Sequence, residues 1–344
     1  MGVVKTEYGL CYTADTCFNQ YSDFEDCGLY VGDTGKIFIS QAKKIKNVYH
    51  LIYECSNLIR AQYKAQQGKG ERTEISKFNE NILENLDSLY WDLRNETYTP
   101  GEYRIKVIYE PKERVIMIAP FFPDRIVHHC IINVLGRYWT NFFIANTYAC
   151  IKGRGIHKCM EDVHTALIID RKGTRFCLKI DIKKFYDNID HAALKRIIRY
   201  TIADEQLLRL LDKINSNGKD KGLPIGNFTS QYLANLYFAY FDHWVKEELA
   251  KIVMKRFGVK IYYYRYMDDM VILCADKEAL HFVLDMMGLY LGGELKVEIK
   301  SNWQIFPVDA RSIDYVGFKQ NHYGILLRSG ILKRFYKKFQ IGRA

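Results

Sequence analysis

Helical spacing of apolar residues dominates the first third of the chain. The pattern is helical over 41–66, and a second amphipathic helix follows after the basic, glycine-containing loop at 68–72. The apolar face of this second helix is formed by Ile75, Phe78, Ile82, Leu86, Leu89, Tyr90 and Leu93. Turn-forming residues at 97–101 end it, and residues 124–143 predict a further, mostly buried helix.

Strands are predicted where apolar and polar residues alternate. The stretch 103–120 alternates around the sequence EPKE at 110–113, which indicates a hairpin. In FCLKIDIK, 176–183, apolar side chains alternate with Lys179, Asp181 and Lys183, so a strand carries Asp181 on the face opposite its aliphatic residues. The segment YYYRYMDDMVIL, 262–273, predicts strand, tight turn and strand, with Asp268 and Asp269 at the tip.

A loop followed by a long helix lies between these strands, in KGLPIGNFTSQYLANLYFAYFDHWVKEEL at 221–249. Gly222, Pro224 and Gly226 predict a loop whose backbone can approach a ligand closely. The helix beyond it has a buried stripe of Leu233, Leu236, Tyr237, Tyr240, Phe241, Trp244 and Val245. Helices and hairpins thus alternate without an internal repeat or a low-complexity linker, which predicts an α+β fold built as one interleaved body.

Composition narrows the classes of protein. The chain has 344 residues, of which 48% are hydrophobic and 26% charged, so it can bury a full core. No apolar run reaches the length of a membrane-spanning helix, and the start has no signal pattern, so a cytoplasmic location without a membrane partner is expected. The 50 Lys and Arg exceed the 40 Asp and Glu, and together with 26 Tyr and 19 Phe they suit a protein that binds nucleic acid.

Three aspartates are candidate metal ligands. Taken alone, Asp181 reads as an exposed strand residue, and Asp268 and Asp269 as turn residues that bond to nearby backbone. Their surroundings favour another interpretation, because Asp268 and Asp269 lie between buried strands, where adjacent carboxylates repel unless a cation neutralises them. Such a set could hold two Mg²⁺ ions about 4 Å apart for in-line attack on a phosphate. Asp190 is predicted as a helix N-cap, and Asp187 stays ambiguous.

Three ordered motifs resemble the palm of a reverse transcriptase: Asp181 in FCLKIDIKKFYDNIDH, then GLPIGNFTSQ, then YMDD. The details are most similar to the reverse transcriptases of diversity-generating retroelements, relatives of the group II intron enzymes. The stretches that support this are TYTPGEYRIKVIYEPKERVIMIAPFFPDRIVHH, NTYACIKGRGIHK, IGNFTSQ and SIDYVGFKQNHYGILLRSGILKRF. The resemblance covers roughly residues 45 to 340.

The resemblance implies a right-hand polymerase fold, in which an antiparallel palm sheet packs on helices. Residues 1–40 would be an N-terminal extension, 41–175 the fingers with part of the palm, and 176–330 the palm with catalytic motifs and primer grip. Residues 331–344 would begin a short or truncated thumb; either the thumb is missing or the sequence is incomplete.

The resemblance also implies a catalytic triad of Asp181, Asp268 and Asp269. Asp181 and Asp268 would be the main ligands of two Mg²⁺ ions, for which Mn²⁺ can substitute, with help from the Ile182 carbonyl. Either Lys296 or Lys300 would donate a proton to the leaving pyrophosphate.

Several residues are implied to contact the nucleotide or the primer. Tyr186 would reject a 2′-hydroxyl on the incoming nucleotide. Arg114 would lie over that nucleotide, and Lys106 would touch its phosphates. Gly226 and Gln231 would hold the template base pair. The primer grip would begin with Tyr315, Val316, Gly317 and Phe318. Ile225 stands where many relatives have a glutamine that braces the template nucleotide, so Ile225 and Arg114 are candidate fidelity determinants; the alternative is that Ile225 is a packing change alone.

The implied function is RNA-directed DNA synthesis that is error-prone at template adenines. Its partners would be a repeat-derived template RNA, a primer and its cDNA, dNTPs, and an oligomer of a small basic accessory variability protein. One alternative is an antiphage-defence or retron-type reverse transcriptase, which would share the triad. Another is a catalytically idle RNA-binding scaffold, which would gain nothing from unpaired carboxylates.

Overall fold

The computed structural model describes residues 4–6, 9–11, 29–31, 37–39, 44–109, 113–215 and 220–341. Most of the predicted N-terminal extension therefore lies outside the described residues, as do residues 110–112 in the turn of the predicted hairpin. Within the extension the backbone forms two antiparallel hairpins, β1 Val4–Thr6 with β2 Gly9–Cys11, and β3 Leu29–Val31 with β4 Ile37–Ile39.

The remaining elements mix helices and strands. In chain order, the described helices are α1 Tyr49–Tyr53, α2 Cys55–Gln66, α3 Thr73–Glu80, α4 Ile82–Arg94, α5 Ile126–Phe142, α6 Ile156–Ile169, α7 Phe185–Asn188, α8 His191–Thr201, α9 Glu205–Asn215, α10 Phe228–Trp244, α11 Ala250–Phe257, α12 Lys277–Glu294 and α13 Ser329–Ile341, with π-helical turns at Phe121–Arg125 and Val245–Leu249. The described strands that follow β4 are β5 Arg104–Ile108, β6 Arg114–Ile118, β7 Phe176–Asp181, β8 Ile261–Tyr266, β9 Asp269–Cys274, β10 Gln304–Pro307, β11 Ile313–Tyr315, β12 Phe318–Asn321 and β13 Gly324–Leu327. The fold is α+β, as the sequence predicts. No helix in the described part of the chain combines the length and apolar character needed to cross a membrane.

The chain divides into two compact units, each assembled from two stretches of sequence. Unit 1 comprises Met1–Phe143 and Tyr186–Phe238, and unit 2 comprises Ile144–Phe185 and Ala239–Ala344. The fingers and palm predicted from the sequence are each one continuous stretch, 41–175 and 176–330, and so differ from these two units. That division into fingers and palm stays a prediction.

The helix predicted over 41–66 is wrong in its start and in its continuity. Helix α1 begins only at Tyr49, because the Asp204 carboxylate accepts hydrogen bonds from the amides of Val48 and Tyr49 at 2.7 and 2.9 Å. The chain then breaks at Glu54, whose ψ is 132°. The side-chain amide of Asn57 donates to the backbone carbonyls of Leu51 and Ile52 and so satisfies two acceptors near the C-terminal end of α1.

The second predicted helix is likewise divided into α3 and α4. The break lies at Asn81, where φ is −129° and ψ is 46°. The Phe78 carbonyl at the end of α3 accepts from the Asn81 backbone amide at 3.3 Å and from the Asn85 side chain at 3.0 Å. The predicted apolar face nevertheless holds, since Ile75, Phe78, Leu86, Leu89 and Leu93 are buried.

Unit 1 is mainly a helical layer with one exposed hairpin. Helices α1, α2, α4 and α5 pack on one another, and α5 confirms the predicted buried helix at 124–143. Strands β5 and β6 form the predicted antiparallel hairpin, with Arg104 opposite Ile118 and Ile108 opposite Arg114. All five residues of β5 are exposed, whereas the last three residues of β6 are half-buried.

Unit 2 is built around a four-stranded antiparallel sheet in the order β10-β7-β9-β8. Helix α12 packs against β7 and β9. Helix α6 and strand β11, which belongs to a three-stranded sheet β11-β12-β13, share a core with the sheet. That core contains Tyr148, Cys159, Val163, Ala166, Leu167, Cys177, Tyr264, Val271, Leu273, Phe306, Val308, Ile313 and Tyr315. The central strand β7 is thus held from both edges.

Candidate active site

The two adjacent aspartates lie where the β8–β9 hairpin reverses direction. Tyr266 pairs with Asp269, so Met267 and Asp268 form a two-residue turn. Met267 has a φ of +54°, in the region that suits the right-handed twist of such hairpins. The predicted strand, turn and strand are confirmed, and Asp269 is the first residue of β9 rather than a turn residue.

Asp181 faces this hairpin from the neighbouring strand. It pairs directly with Asp269 in the β7–β9 register, and residues opposite each other have Cα atoms about 4.5–5.5 Å apart. The amide of Ile182 donates to the Asp268 carbonyl at 3.2 Å, which fixes the turn against the end of β7. The structure therefore brings all three predicted acidic residues to one end of the sheet in unit 2.

Lysine side chains face two of these carboxylates. The Nζ atom of Lys300 lies 2.7 Å from Oδ1 of Asp181, and that of Lys179 lies 3.8 Å from Oδ2 of Asp269. Within residues 44–109, 113–215 and 220–341, no group of three or more His, Cys, Asp and Glu side chains is arranged to hold a metal ion. Two of the three carboxylates face ammonium groups instead.

Asp269 has the electrostatic character of a cation ligand. Burial, assisted by the charges of Asp181 and Asp268, raises the pKa of Asp269 to about 7 against the opposing effect of Lys179 and Arg328. One of its oxygens, Oδ1, is buried and accepts no hydrogen bond among the described residues. A hard divalent cation prefers carboxylate and carbonyl oxygens, so these side chains are of the donor type that such an ion takes, although lysines face two of them.

A fully buried ion pair between Arg265 and Asp242 contacts the β8–β9 hairpin. The Arg265 guanidinium donates to both carboxylate oxygens of Asp242, and both side chains are 0% exposed. Tyr263 and Thr147 donate to the same carboxylate at 2.7 and 3.1 Å. Arg265 also donates to the Met267 carbonyl at 3.1 Å, next to Asp268. This support is not predicted by the sequence pattern, although Arg265 stands out as a charge within an aromatic strand.

The predicted primer grip begins at the end of β11. Tyr315 is 0% exposed, and its hydroxyl donates to the Asp269 carbonyl at 3.1 Å, so its side chain braces the hairpin and does not face solvent. Val316 and Gly317 form the turn to β12, with φ of 44° and 93°. The Phe318 ring lies 5.9 Å from that of His157 in α6. Among these residues, only the turn is open enough to meet a primer directly.

A basic pocket of about 490 Å³ lies in unit 1. It is lined by Lys64, Ala65, Gln67, Lys69, Arg72, Ile116, Ile118, Ala119, Arg125, His128, His129, Gly226, Asn227, Phe228 and Gln231. Burial lowers the pKa of His129 to about 4, so this imidazole is neutral at pH 7. The positive charge of the pocket therefore comes from its Lys and Arg side chains. The pocket opens beside the start of α10, and helix N-termini favour anions such as phosphate.

Two of the predicted nucleotide-contacting residues of unit 1 line this pocket. Gly226 and Gln231 line it, and the Met117 amide of β6 donates to the Ile225 carbonyl at 2.8 Å. Lys106 lies opposite Ile116 in the hairpin, so Lys106 and Arg114 share the face of Ile116 and Ile118. Tyr186 joins the same loop further back, where its carbonyl accepts from the Leu223 amide at 2.9 Å.

We expect Gly226→Ala to disrupt this loop. Gly226 has a φ of +123°, and a Cβ there would lie 2.7 Å from the Met117 carbonyl oxygen. The free energy of unfolding should fall by about 1–3 kcal/mol, since a side chain in that conformation is strained. Urea denaturation measures the change. Gly70→Ala is the matched control, because no atom lies within 4 Å of its added Cβ; equal stability of the two variants would contradict the expectation.

Comparison with known proteins adds a family and several distant relatives. The profile of the family described as "Reverse transcriptase (RNA-dependent DNA polymerase)" matches residues 110–319. The group II intron-encoded protein LtrA of Lactococcus lactis subsp. cremoris is 20% identical in an alignment that covers 73% of this chain and 52% of LtrA. The protein YkfC of Escherichia coli K12 is 23% identical in an alignment that covers 59% of this chain and 58% of YkfC.

Among solved structures, the chain is similar to apo telomerase from Candida tropicalis truncated from its C-terminal domain. That likeness has a TM-score of 0.47 and 13% identity, and it covers 72% of this chain and 60% of the telomerase chain. Telomerase from Candida albicans, in complex with a fragment of telomeric RNA, gives a TM-score of 0.48 and 13% identity over 67% of this chain and 46% of that one. The chain spans about half the length of the first curated relatives that it matches.

Proposed function

Because the chain belongs to the reverse transcriptase (RNA-dependent DNA polymerase) family, matched over more than half of its length, we propose that it copies an RNA template into DNA. Its α+β fold is the right-hand polymerase fold of that family. The observation that carries the proposal is the pairing of Asp181 with Asp269 across β7 and β9, with Asp268 in the adjoining turn. This pairing supports the proposal, because metal-dependent attack on a phosphate needs several carboxylates close together.

Divalent cations would be held by Asp181, Asp268 and Asp269 with the Ile182 carbonyl. Bound Mg²⁺, or Mn²⁺ in its place, supplies electrostatic stabilisation of the attacking and leaving oxygens in nucleotidyl transfer. The buried, unbonded Oδ1 of Asp269 supports this role. The Arg265 contact with the Met267 carbonyl would keep the turn in one conformation during each addition.

The other residues of the chain would orient the substrates and move a proton. In the reaction the primer 3′-hydroxyl attacks the α-phosphate of a dNTP, and pyrophosphate leaves. Arg114 and Lys106 would face the triphosphate, and the Tyr186 side chain would exclude a 2′-hydroxyl. Of the two candidate proton donors we favour Lys300, because its Nζ lies 2.7 Å from Asp181, whereas the Nζ of Lys296 donates to the Gly293 carbonyl at 2.5 Å.

We further propose that the chain is the reverse transcriptase of a diversity-generating retroelement. Its template would be a repeat-derived RNA, and a small basic accessory variability protein would act as an oligomeric partner. The motifs IGNFTSQ and PKER support this class over antiphage-defence and retron-type enzymes. The net charge of +10 suits a protein that holds RNA and cDNA. The cytoplasmic location expected from the sequence stays a prediction.

The test is dNTP incorporation on a defined RNA template with Mg²⁺ and the accessory protein, followed by sequencing of the product. Errors concentrated opposite template adenines would support the retroelement class. Accurate product would support the polymerase activity but move the assignment to the defence or retron class. No product with the partner present would overturn the enzymatic function and leave an RNA-binding scaffold.

We expect Ile225→Gln to lower the error frequency opposite template adenines by roughly two- to tenfold. A glutamine could brace the template nucleotide with one hydrogen bond, which contributes about 0.5–1.5 kcal/mol, and about 1.4 kcal/mol is tenfold. The loop should keep its place, because Met117 binds the backbone carbonyl of residue 225 and not its side chain. Sequencing of the cDNA measures the change.

Ile225→Val serves as the control for packing, since it shortens the side chain but adds no polar group. If the valine variant lowered errors as much as the glutamine variant, Ile225 would act through packing alone. Unchanged errors in both variants would place the fidelity determinant elsewhere.

A further inference from the structure

Two lysine side chains are built into the acidic end of the sheet in unit 2. Lys179 lies two residues before Asp181 on β7, so its side chain leaves the sheet on the same face. Lys300 lies in the segment between α12 and β10. Both are only partly exposed, at 27% and 28%. Their charges therefore act on the carboxylates in a partly dry setting, where they are screened less than at an open surface.

Lys300 is attached to Asp181 by two contacts. Its ammonium group lies 2.7 Å from Oδ1 of Asp181, and its backbone amide donates to the Asp181 carbonyl at 2.8 Å. The backbone contact continues a bridge between Ile182 and Ile299. The ammonium group thus lies beside a buried carboxylate oxygen that is a candidate metal ligand.

The Lys179 side chain is held by a backbone carbonyl of β11. Its Nζ donates to the Asp314 carbonyl at 2.5 Å and lies 3.8 Å from Oδ2 of Asp269. The Asp314 carboxylate is itself bound by Arg328, whose Nε donates to Oδ1 at 2.7 Å. Lys179 therefore cannot turn away from Asp269 without giving up a fixed contact with the strand that precedes the predicted primer grip.

We propose that Lys179 and Lys300 are built-in counterions that keep the divalent-metal affinity of the Asp181, Asp268 and Asp269 cluster low until nucleotide phosphates arrive. The inference rests on the proposed metal-dependent function. A metal ion must displace or approach an ammonium group to reach Asp181 and Asp269, which opposes its binding. A triphosphate supplies further oxygen ligands and negative charge, and Mg²⁺ is commonly bound by one or two carboxylates together with substrate phosphates.

The test is a titration of the purified full chain with Mn²⁺, without nucleotide or nucleic acid, in which electron paramagnetic resonance counts free and bound ions. We expect Lys179→Met and Lys300→Met each to bind Mn²⁺ on the order of tenfold more tightly than the unaltered chain. A unit charge roughly 6 Å from a divalent ion corresponds to about that factor even with the screening of bulk water. Arginine at either position should restore the weak binding, because it keeps the charge.

A structural effect alone would not give this result. Loss of local order would weaken metal binding and incorporation together, whereas the proposal expects Lys179→Met to bind Mn²⁺ more tightly while it extends primers more slowly. Lys319→Met is the control for metal binding, since this exposed lysine lies opposite Asp314 on β12 and has no contact with Asp269 among the described residues. Its Mn²⁺ affinity should match that of the unaltered chain.

Unchanged, weaker or undetectable Mn²⁺ binding by the two methionine variants would overturn the proposal. If the Lys179 variant fails to fold by circular dichroism, the Lys300 variant decides, because Lys300 lies outside the sheet strands. Failure of the proposed function would give a different result. A chain that binds Mn²⁺ as expected but incorporates no dNTP would lose the polymerase assignment and keep the counterion inference.

Discussion

Asp268→Asn is expected to abolish DNA synthesis, with a loss on the order of a thousandfold or more. The substitution removes one negative charge from the proposed metal cluster but preserves the size of the side chain. The turn should persist, because Ile182 binds the backbone carbonyl of residue 268. Metal ions contribute several kcal/mol of transition-state stabilisation, and about 1.4 kcal/mol is tenfold in rate. Primer extension under single-turnover conditions measures the loss.

Asp276→Asn provides the matched control. Asp276 caps α12 just beyond the far end of β9, where its Oδ1 accepts from the Ala279 amide at 2.7 Å. Asparagine caps helices as well as aspartate does, so fold and activity should remain close to those of the unaltered chain. Synthesis by the Asp268 variant within tenfold of this control would remove Asp268 from the catalytic set.

Arg265→Met is expected to lower the free energy of unfolding by about 3–5 kcal/mol, because it leaves the buried Asp242 carboxylate without its counter-charge. Asp242 is 0% exposed and, within the described part of the chain, would retain the hydroxyl donors of Tyr263 and Thr147. The Met267 carbonyl would also lose the hydrogen bond from Arg265, so the turn that carries Asp268 should loosen. Urea denaturation followed by circular dichroism measures the stability.

The double variant Arg265→Met with Asp242→Asn separates charge from packing. Asparagine is neutral and can still accept from Tyr263, so the double variant should be more stable than Arg265→Met alone. Equal or lower stability would show that the cost is one of lost packing. Primer extension by the double variant then reports how much of the activity depends on the contact between Arg265 and Met267.

Local signals in the sequence predicted the elements that carry the acidic residues. Alternation gave β7, and the paired apolar runs around Asp268 gave the hairpin of β8 and β9. The N-cap at Asp190 is confirmed, since its Oδ1 accepts from the Ala193 amide at 2.8 Å. Each of these depends on residues a few positions apart, where periodicity and capping chemistry operate.

Contacts between distant residues could not be predicted in this way. The start of α1 depends on Asp204, more than 150 residues further along the chain. Lys179 looks like a solvated strand lysine until β11 brings the Asp314 carbonyl to it. Tyr315 likewise reads as a surface residue of the grip, because the sequence does not reveal that its hydroxyl reaches Asp269. Such pairings depend on tertiary packing, which overrides local pattern.

The placement of β7 at the centre of its sheet has a consequence for synthesis on the ribosome. Both of its partners, β9 and β10, come later in the chain, and Asp181 precedes Asp269 by roughly 90 residues. At about 5–20 residues per second, an apolar strand with two unpaired edges would wait roughly 5–20 s for its first neighbour. Unpaired edges invite association between nascent chains. Recombinant yield should therefore depend on how well chaperones shield this one strand during elongation.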